Sequence, residues 1–589
     1  MRASVSSHAG ATVSSPRPAA TTPSGPVRYA VGEPLCAQPK NPYAIRCFAM
    51  KRVNVAKGTP GAFAYSVRPD YATGPAGGFT PGDIATAYGV NPASGGGSQT
   101  VGIIDWNNDP HALSDLNTFD RHYGLPTETS TSFRKVNQNG ATSPLPSNTT
   151  DTGEISLDIE SVRAVCNHCK ILLVEATAAY DSDLATAENT AVKLGATEVS
   201  NSFGGPEDPN SPRSNAVLKA YNHPGVPIMA STGDNGWFDW DFANDGNGSS
   251  DNAPNFPSSS PNVVAVGGTA LALNSNGTRQ EEDVWNENGA DDDNAVFDGE
   301  WIGGAMGASG GGCSTTYTAT TWQQQVAGYT KTGCGGKRMT GDIAALADPY
   351  TGFDIYDTYS HGWITIGGTS LASPLIAGMW ALAGGDGGAV SPSQALYTNF
   401  TNHPSSLYDV WAGGNGWCAG DDSQNCAAIL SAESNDGHGH PGNGNPNGLN
   451  DPAGDAGGEK DCSFPRDGST LVGDPFSLEC NADYGYDGPS GVGVPTGLGV
   501  FAPTNPKVTI TLPSSPKHGK KLTVTATGTS RVGAQPTKYV FDWGNGTTST
   551  KSTGSASHTY SKAGTYLVKV TVTDSAGQKG FASKTLVVK

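Results

Sequence analysis

No run of 18 apolar residues occurs in this 589-residue chain, so a membrane-spanning helix is not expected. The start, Met1-Arg-Ala-Ser-Val-Ser-Ser-His8, lacks the apolar core of a signal peptide, so no leader is visible in this chain. No second Cys-x-x-Cys accompanies Cys166-Asn-His-Cys169. A disulfide in an oxidising compartment is therefore the better reading of that pair than zinc or redox chemistry. Basic residues are scarce up to residue 503, where 23 Lys and Arg meet 52 Asp and Glu. No nucleic-acid-binding motif is present, and nucleic acid is not expected as a partner.

What is abundant points to an exported, loop-rich protein of two or three domains. Gly 79 and Pro 40 imply many turns. The ten cysteines form natural local pairs at Cys36/Cys47, Cys166/Cys169, Cys313/Cys334, Cys418/Cys426 and Cys462/Cys480, although spacing alone does not fix connectivity.

The densest chemistry lies in Ile366-Gly-Gly-Thr-Ser-Leu-Ala-Ser-Pro-Leu-Ile-Ala-Gly-Met379. Glycines lead to Ser370, and an apolar helical segment follows. A helix N-terminus surrounds such a serine with N–H groups and the positive end of the macrodipole, which suits a nucleophile whose attack creates an oxyanion. A plain N-cap serine is the structural alternative. The longer Gly-Thr-Ser-x-Ala-Ser-Pro string resembles the nucleophile motif of subtilisin-like serine peptidases. Those enzymes carry their base in a His-Gly-Thr-like helix start upstream, and none of the eleven histidines lies in such a string. His438-Gly-His440 follows the serine and reads as a solvated glycine-rich loop.

Carboxylates offer another base. Residues 151–165 show helical spacing of Ile155, Ile159 and Val162. Glu154 and Asp158, at i and i+4, then share one side of the helix. Two adjacent carboxyls split their proton affinities, so one can act as a base in acid. Val226-Pro-Ile-Met-Ala-Ser-Thr-Gly-Asp234-Asn-Gly236 reads as a buried strand ending in a turn. In this order, Gly-Glu-x-x-x-Asp, Ser-x-Gly-Asp-x-Gly and Gly-Gly-Thr-Ser resemble the sedolisins, the acid-active serine-carboxyl peptidases with a subtilisin-like fold. The strings at 79–88, 199–204, 264–269, 310–314 and 347–352 share the resemblance, which spans most of residues 78–503.

The resemblance implies roles for four residues. Ser370 is the nucleophile, Glu154 the general base and later acid, Asp158 the partner sharing its proton, and Asp234 a protonated donor in the oxyanion hole. Asp105, ending the apolar strand 101–105, stands where subtilisins carry their triad aspartate; without a histidine partner it reads as structural. The resemblance also implies one structural calcium ion (Ca2+) near the end of the peptidase domain. The side chains of Asp409 and Asp487 and the carbonyls of Val410, Asp483 and Gly485 would bind it. The family usually has glycine where Asp483 stands. The segment 411–482 is a long insertion of loop composition; it either reshapes the cleft, binds more calcium or is a surface excursion.

Charge divides the chain near residue 504. Residues 504–589 carry 12 Lys and Arg and 2 Asp and Glu. Their alternating patterns, with Phe541-Asp-Trp-Gly-Asn-Gly546, resemble a PKD domain. This part is either a solubilising spacer or a means of attachment to an acidic polymer or cell surface. Residues 1–77 read as an N-terminal extension, partly disordered, too short for the long propeptide that sedolisins usually carry.

The expected architecture is α/β: a subtilisin-like, mostly parallel sheet covered by helices over 78–503, then an Ig-like β-sandwich over 504–589. The expected function is that of a secreted acid endopeptidase acting on proteins and peptides. A neutral subtilase with an unrecognised histidine, or an inactive surface-binding protein, is the alternative.

Overall fold

The computed structural model describes residues 27–36, 44–56, 63–66, 74–208, 210–237, 253–286, 307–416 and 477–589. At its centre is an eight-stranded sheet. Its strands run in the order Arg279–Val284, Val264–Leu273, Ile228–Ser231, Glu198–Asn201, Thr100–Trp106, Lys170–Ala176 and Phe133–Asn137, with Ile343–Leu346 also paired to Val264–Leu273. All pairings are parallel except that of Arg279–Val284. Parallel strands are buried on both faces, so they read as unbroken apolar runs. Lys170–Ala176, Lys-Ile-Leu-Leu-Val-Glu-Ala, is buried at every residue but its first.

Helices cover both faces. Gly153–Val165, the acid helix, and Thr369–Leu382, the serine helix, pack on one face through Ile155, Ile159, Val162, Leu371 and Leu375. Asp181–Lys193 and Asn215–Ala220 pack on the other through Leu184, Ala187, Ala191 and Val217. The serine helix is apolar nearly all round and buried throughout, as a helix inside a core should be. The acid helix is also buried throughout, although it carries Glu154, Asp158, Glu160 and Arg163. Burying so many ionisable groups is costly, which marks this helix as more than packing.

The N-terminal extension contains more regular structure than its composition suggests. Phe353–Asp357, Gly362–Gly367, Met50–Val55, Val27–Pro34 and Phe63–Ser66 form a second sheet in that order. Met50-Lys-Arg-Val-Asn-Val alternates in burial, the period of a half-buried strand. Arg52 is buried there because Tyr350 O and the Thr365 hydroxyl accept its guanidinium N–H groups at 2.6 and 2.9 Å. First-stretch residues 1–26 lie outside the described residues, as does most of the 411–482 insertion, including His438 and His440.

Residues from Lys507 onward form a β-sandwich. One sheet holds Lys507–Thr511, Lys521–Thr529 and Ser555–Thr559; the other holds Thr548–Lys551, Pro536–Asp542, Gly564–Asp574 and Lys579–Val588. Leu522, Val524 and Ala526 point inward in strict alternation and pack with Phe541, Trp543 and Val570. The sandwich is joined to the first domain by backbone bonds from Val390 N–H to Lys579 O and from Phe581 N–H to Gly388 O, both 2.9 Å. Disulfides close Cys36–Cys47, Cys166–Cys169 and Cys313–Cys334. The pairs Cys418/Cys426 and Cys462/Cys480 fall wholly or partly outside the described residues.

Candidate active site

Ser370 is the second residue of the serine helix and is fully buried. Gly368, just before the helix, has φ of 92°, a conformation glycine adopts freely. A Cβ there would lie 2.2 Å from Phe48 O and 2.5 Å from Asp234 Oδ2, so only glycine lets these two oxygens converge beside the serine. Pro374 lies inside the helix and has no N–H to offer the carbonyl of Ser370. The Ser202 hydroxyl donates to that carbonyl at 3.3 Å instead. That one proton is shared with Asp158 Oδ1, the nearer acceptor at 2.8 Å. One serine thus links the nucleophile's helix to the acid helix.

The acid helix places Glu154 in its first turn and Asp158 one turn further on, as the i, i+4 spacing predicts. Asp105, near the end of Thr100–Trp106, joins them: ligand oxygens of Asp105, Glu154 and Asp158 lie within 4.8 Å of one another. The reading of Asp105 as merely structural is therefore incomplete; it is the third carboxyl of a buried cluster. Burial raises the pKa of all three; the Asp105 charge raises Glu154 and Asp158 further, while Asp105 itself is raised further by the Glu175 and Asp109 charges. Such a cluster holds protons well past the ordinary carboxylate range. Three carboxylates at this spacing could also hold a cation, but sharing protons neutralises them without one. A cavity of about 160 Å³ bounded by Asp105, Trp106, Glu154 and Ile155 adjoins the cluster.

The Ser370 hydroxyl donates to Ser202 O at 3.1 Å. Among the described residues neither Glu154 oxygen accepts a hydrogen bond. The hydroxyl is nevertheless near enough to Glu154 to pull its pKa down, against the larger effect of burial. Rotation about the Ser370 side chain would exchange one acceptor for the other. Among the described residues, the partners of this hydroxyl are Ser202 and Phe48 and not a histidine.

Asp234 follows the strand Ile228–Ser231 and faces the serine helix. Its Oδ1 accepts from Thr369 N–H at 2.7 Å and from the Thr369 hydroxyl at 2.9 Å. Its Oδ2 and Phe48 O both lie beside Gly368, where a Cβ would meet them. The main-chain N–H of Ser370 donates to Phe48 O at 2.8 Å. A carbonyl oxygen therefore already sits between the two groups expected to form an oxyanion hole.

Asp409 and Asp487, the two acids expected to bind calcium, both contact the 483–487 turn. Gly485 N–H donates to both oxygens of Asp409 at 3.1 Å. Asp487 accepts from Asp483 N–H at 3.3 Å and from the amide and hydroxyl of Ser490 at 2.9 and 2.8 Å. Burial pushes Asp409 up to about 6, and burial likewise raises Asp487, with the Asp409 charge adding to the effect. The Asp483 side chain turns away to Lys331, at 3.2 Å, consistent with its carbonyl being the useful group. Val410 is fully buried beside Asp409. Two buried or half-buried acids on one turn have the donor chemistry a hard, oxygen-seeking cation takes.

Residue order alone does not show Ser202, Thr369 or Phe48 as parts of the site. Ser202 and Thr369 lie inside the family strings, but their links become visible only when the strands and helices are placed.

The subtilase family model matches residues 146–399, and the PKD domain model matches residues 503–589. Sedolisin of Pseudomonas sp. (strain 101) is 30% identical over 359 residues, covering 59% of this chain and 57% of that protein. Kumamolisin of Bacillus sp. (strain MN-32) is 30% identical over 313 residues, covering 51% of each. The chain thus spans little more than half the length of these relatives. A solved structure of Pseudomonas sedolisin, a serine-carboxyl proteinase complexed with pseudo-iodotyrostatin, aligns with a TM-score of 0.52 at 27% identity, over 73% of this chain and 98% of that one. By sequence and by fold the chain is similar to the sedolisins, with a subtilase match followed by a PKD match.

Proposed function

We propose that the chain is a secreted, acid-active serine-carboxyl endopeptidase that hydrolyses peptide bonds in proteins. The observation that carries the reading is the meeting of Ser370, at a helix N-terminus, with a buried carboxyl cluster on one side and Asp234 on the other. Glu154 takes the Ser370 proton as Oγ attacks the scissile carbonyl, then passes it to the leaving amine. Asp158 and Asp105 hold Glu154 in a proton-sharing network. Ser370 N–H and a protonated Asp234 stabilise the oxyanion. Water then releases the acyl group with Glu154 again accepting a proton.

Asp409 and Asp487, with the carbonyls of Val410, Asp483 and Gly485, would hold one calcium ion. It would neutralise the two acids and pin the chain on either side of the insertion. Among the described residues no helix is long and apolar enough to cross a membrane. The basic PKD domain would hold the enzyme near acidic polymers or cell surfaces.

A pH–activity profile on denatured protein tests the reading. An acid peak abolished by Ser370→Ala is expected. A peak above about pH 7 would favour a histidine-based mechanism, and no activity would favour a binding protein.

A further inference from the structure

The strand Lys579–Val588 leaves the junction with the first domain at Gly580, which bridges to Ala389. At a rise of about 3.3 Å per residue it ends roughly 20 Å away. There the loops of the sandwich are tied together by main-chain bonds. Lys589 N–H donates to Pro516 O at 2.9 Å, His518 N–H to Lys589 O at 2.8 Å and Gly519 N–H to Tyr560 O at 2.8 Å. Lys562 O accepts from the Tyr566 hydroxyl at 3.1 Å. These bonds gather Lys517, Lys520, Lys562 and Lys589, all exposed, at one end of the domain. Among the described residues, the ion pairs include none of the four. The two acids of residues 504–589 stand apart from them. Asp574 is buried at the junction end, where the N–H groups of Ala576 and Gln578 donate to it at 3.0 Å. Asp542 accepts from Gly544 N–H at 2.9 Å and lies in register with Lys569.

The same end carries apolar surface. Leu567 and Val587 are 58% and 56% exposed, two of only five large apolar side chains so exposed among the described residues. Val587 stands opposite Thr565, and Leu567 opposite Thr585, so the two are diagonal neighbours on one sheet face. Lys589 is two residues beyond Val587 and belongs to that face. Val568, Leu586 and Val588 point the other way, into the sandwich core.

A basic surface beside exposed aliphatic side chains has the chemistry that an anionic bilayer surface recognises. Lysine ammonium groups are drawn to lipid phosphates, and aliphatic side chains enter the acyl boundary. A hydrated acidic polysaccharide would engage the lysines and leave Leu567 and Val587 in water. Single-stranded nucleic acid is held by stacking on exposed aromatic faces, whereas Trp543 and Tyr560 at this end are buried. Resting on the reading of the basic domain as an attachment module, we propose that Lys517, Lys520, Lys562 and Lys589, around Leu567 and Val587, dock the protein peripherally on an anionic phospholipid surface. The first 503 residues, with 23 Lys and Arg against 52 Asp and Glu, have the wrong sign for that surface. Docking is therefore oriented, with the far end of the sandwich toward the lipid.

The full chain is co-sedimented near pH ~4 with vesicles of phosphatidylcholine alone or with about 30% phosphatidylglycerol, at low and at raised salt. Binding to the anionic vesicles, absent from the neutral ones and weakened by salt, is expected. Lys517→Gln, Lys520→Gln and Lys562→Gln together should weaken it about a hundredfold, at roughly fivefold for each lysine near an anionic surface. Leu567→Thr with Val587→Thr keeps strand-forming residues and should weaken it about tenfold or more, through the apolar area withheld from lipid. All these side chains are exposed, and an unchanged Tm checks that the fold is kept. Equal binding to neutral and anionic vesicles, or undiminished binding by either variant, would overturn the inference. Retention on an immobilised sulfated polysaccharide without vesicle binding would also overturn it and leave the attachment reading standing. Retention on neither would overturn both.

Discussion

Glu154, Asp158 and Asp105 have similar chemistry and nearly equal burial, so their roles must differ through position. Glu154 is the acid whose pKa responds to the Ser370 hydroxyl. Asp158 is fixed instead by Ser202. Glu154→Gln should therefore lower kcat by about 10²–10⁴-fold, the usual contribution of a general base, with the fold intact by circular dichroism. More than about a tenth of the activity remaining would reject the serine–carboxyl assignment. Asp105→Asn makes a different prediction. The Asp105 charge raises the pKa of both Glu154 and Asp158, so its removal lets Glu154 ionise at lower pH. The acid limb of the pH–kcat profile should then move to lower pH; no movement would show that Asp105 is electrically separate from the base. Ser370, Glu154, Asp158 and Asp234 could be picked out in the sequence because each sits in a short local string. Asp105 could be seen only as a strand-end aspartate, since its importance comes from neighbours about fifty residues away in the chain. Phe48 carried no signal: it lies in a stretch outside every family string.

The acid helix and the serine helix form one unit, and their closeness depends on a small residue. A Cβ on Gly378 would lie 2.5 Å from Val165 Cγ2 and 3.3 Å from Val162 O. Gly378→Ala should force the helices apart, costing roughly 1–3 kcal/mol as overpacking usually does. It should lower Tm and also kcat, because Glu154 and Ser370 ride on the two helices. A fall in Tm with unchanged kcat would mean that the helices separate only at their far ends. Excess chelator should likewise lower Tm, because a cation bound only to the native state stabilises it by mass action, and Asp487→Asn should remove that sensitivity. Unchanged melting, with no calcium by elemental analysis, would reject the metal site. The central strands and the acid helix were legible to within a few residues, since parallel strands and core helices have strong local patterns. The strands Val27–Pro34 and Met50–Val55 were not: they pair with each other, and Met50–Val55 is tied to the peptidase domain by Gly362–Gly367, some three hundred residues downstream.

At the scale of the whole molecule, the acid character is a property of the core as well as of the surface. Burial pushes Glu188 and Glu198 up to about 8, and Asp120, Glu175, Asp386 and Glu479 up to about 7. Unfolded, such groups titrate near 3.9 for Asp and 4.3 for Glu. Between those values and the folded ones, the native chain binds more protons than the unfolded chain, so stability falls as pH rises. Below about pH 4 both states are protonated and the penalty is absent; above about pH 8 it is complete. Each tenfold change in proton affinity corresponds to ~1.4 kcal/mol, and all six of these groups shift stability in the same direction, toward acid. Tm should therefore be highest near pH ~4 and fall steadily toward pH ~8, unlike the many proteins whose stability peaks between pH ~5 and ~8. Glu188→Gln is the sharpest check. Glu188 is fully buried in the helix Asp181–Lys193, on the sheet face opposite the acid and serine helices, so its loss does not touch the chemistry. An amide does not ionise, and the variant should lose part of the slope of Tm against pH between about 4 and 8 while its pH–activity profile is unchanged. A wild-type Tm that rises across that window would contradict the raised carboxyl affinities, and with them the physical basis for an acid-adapted core.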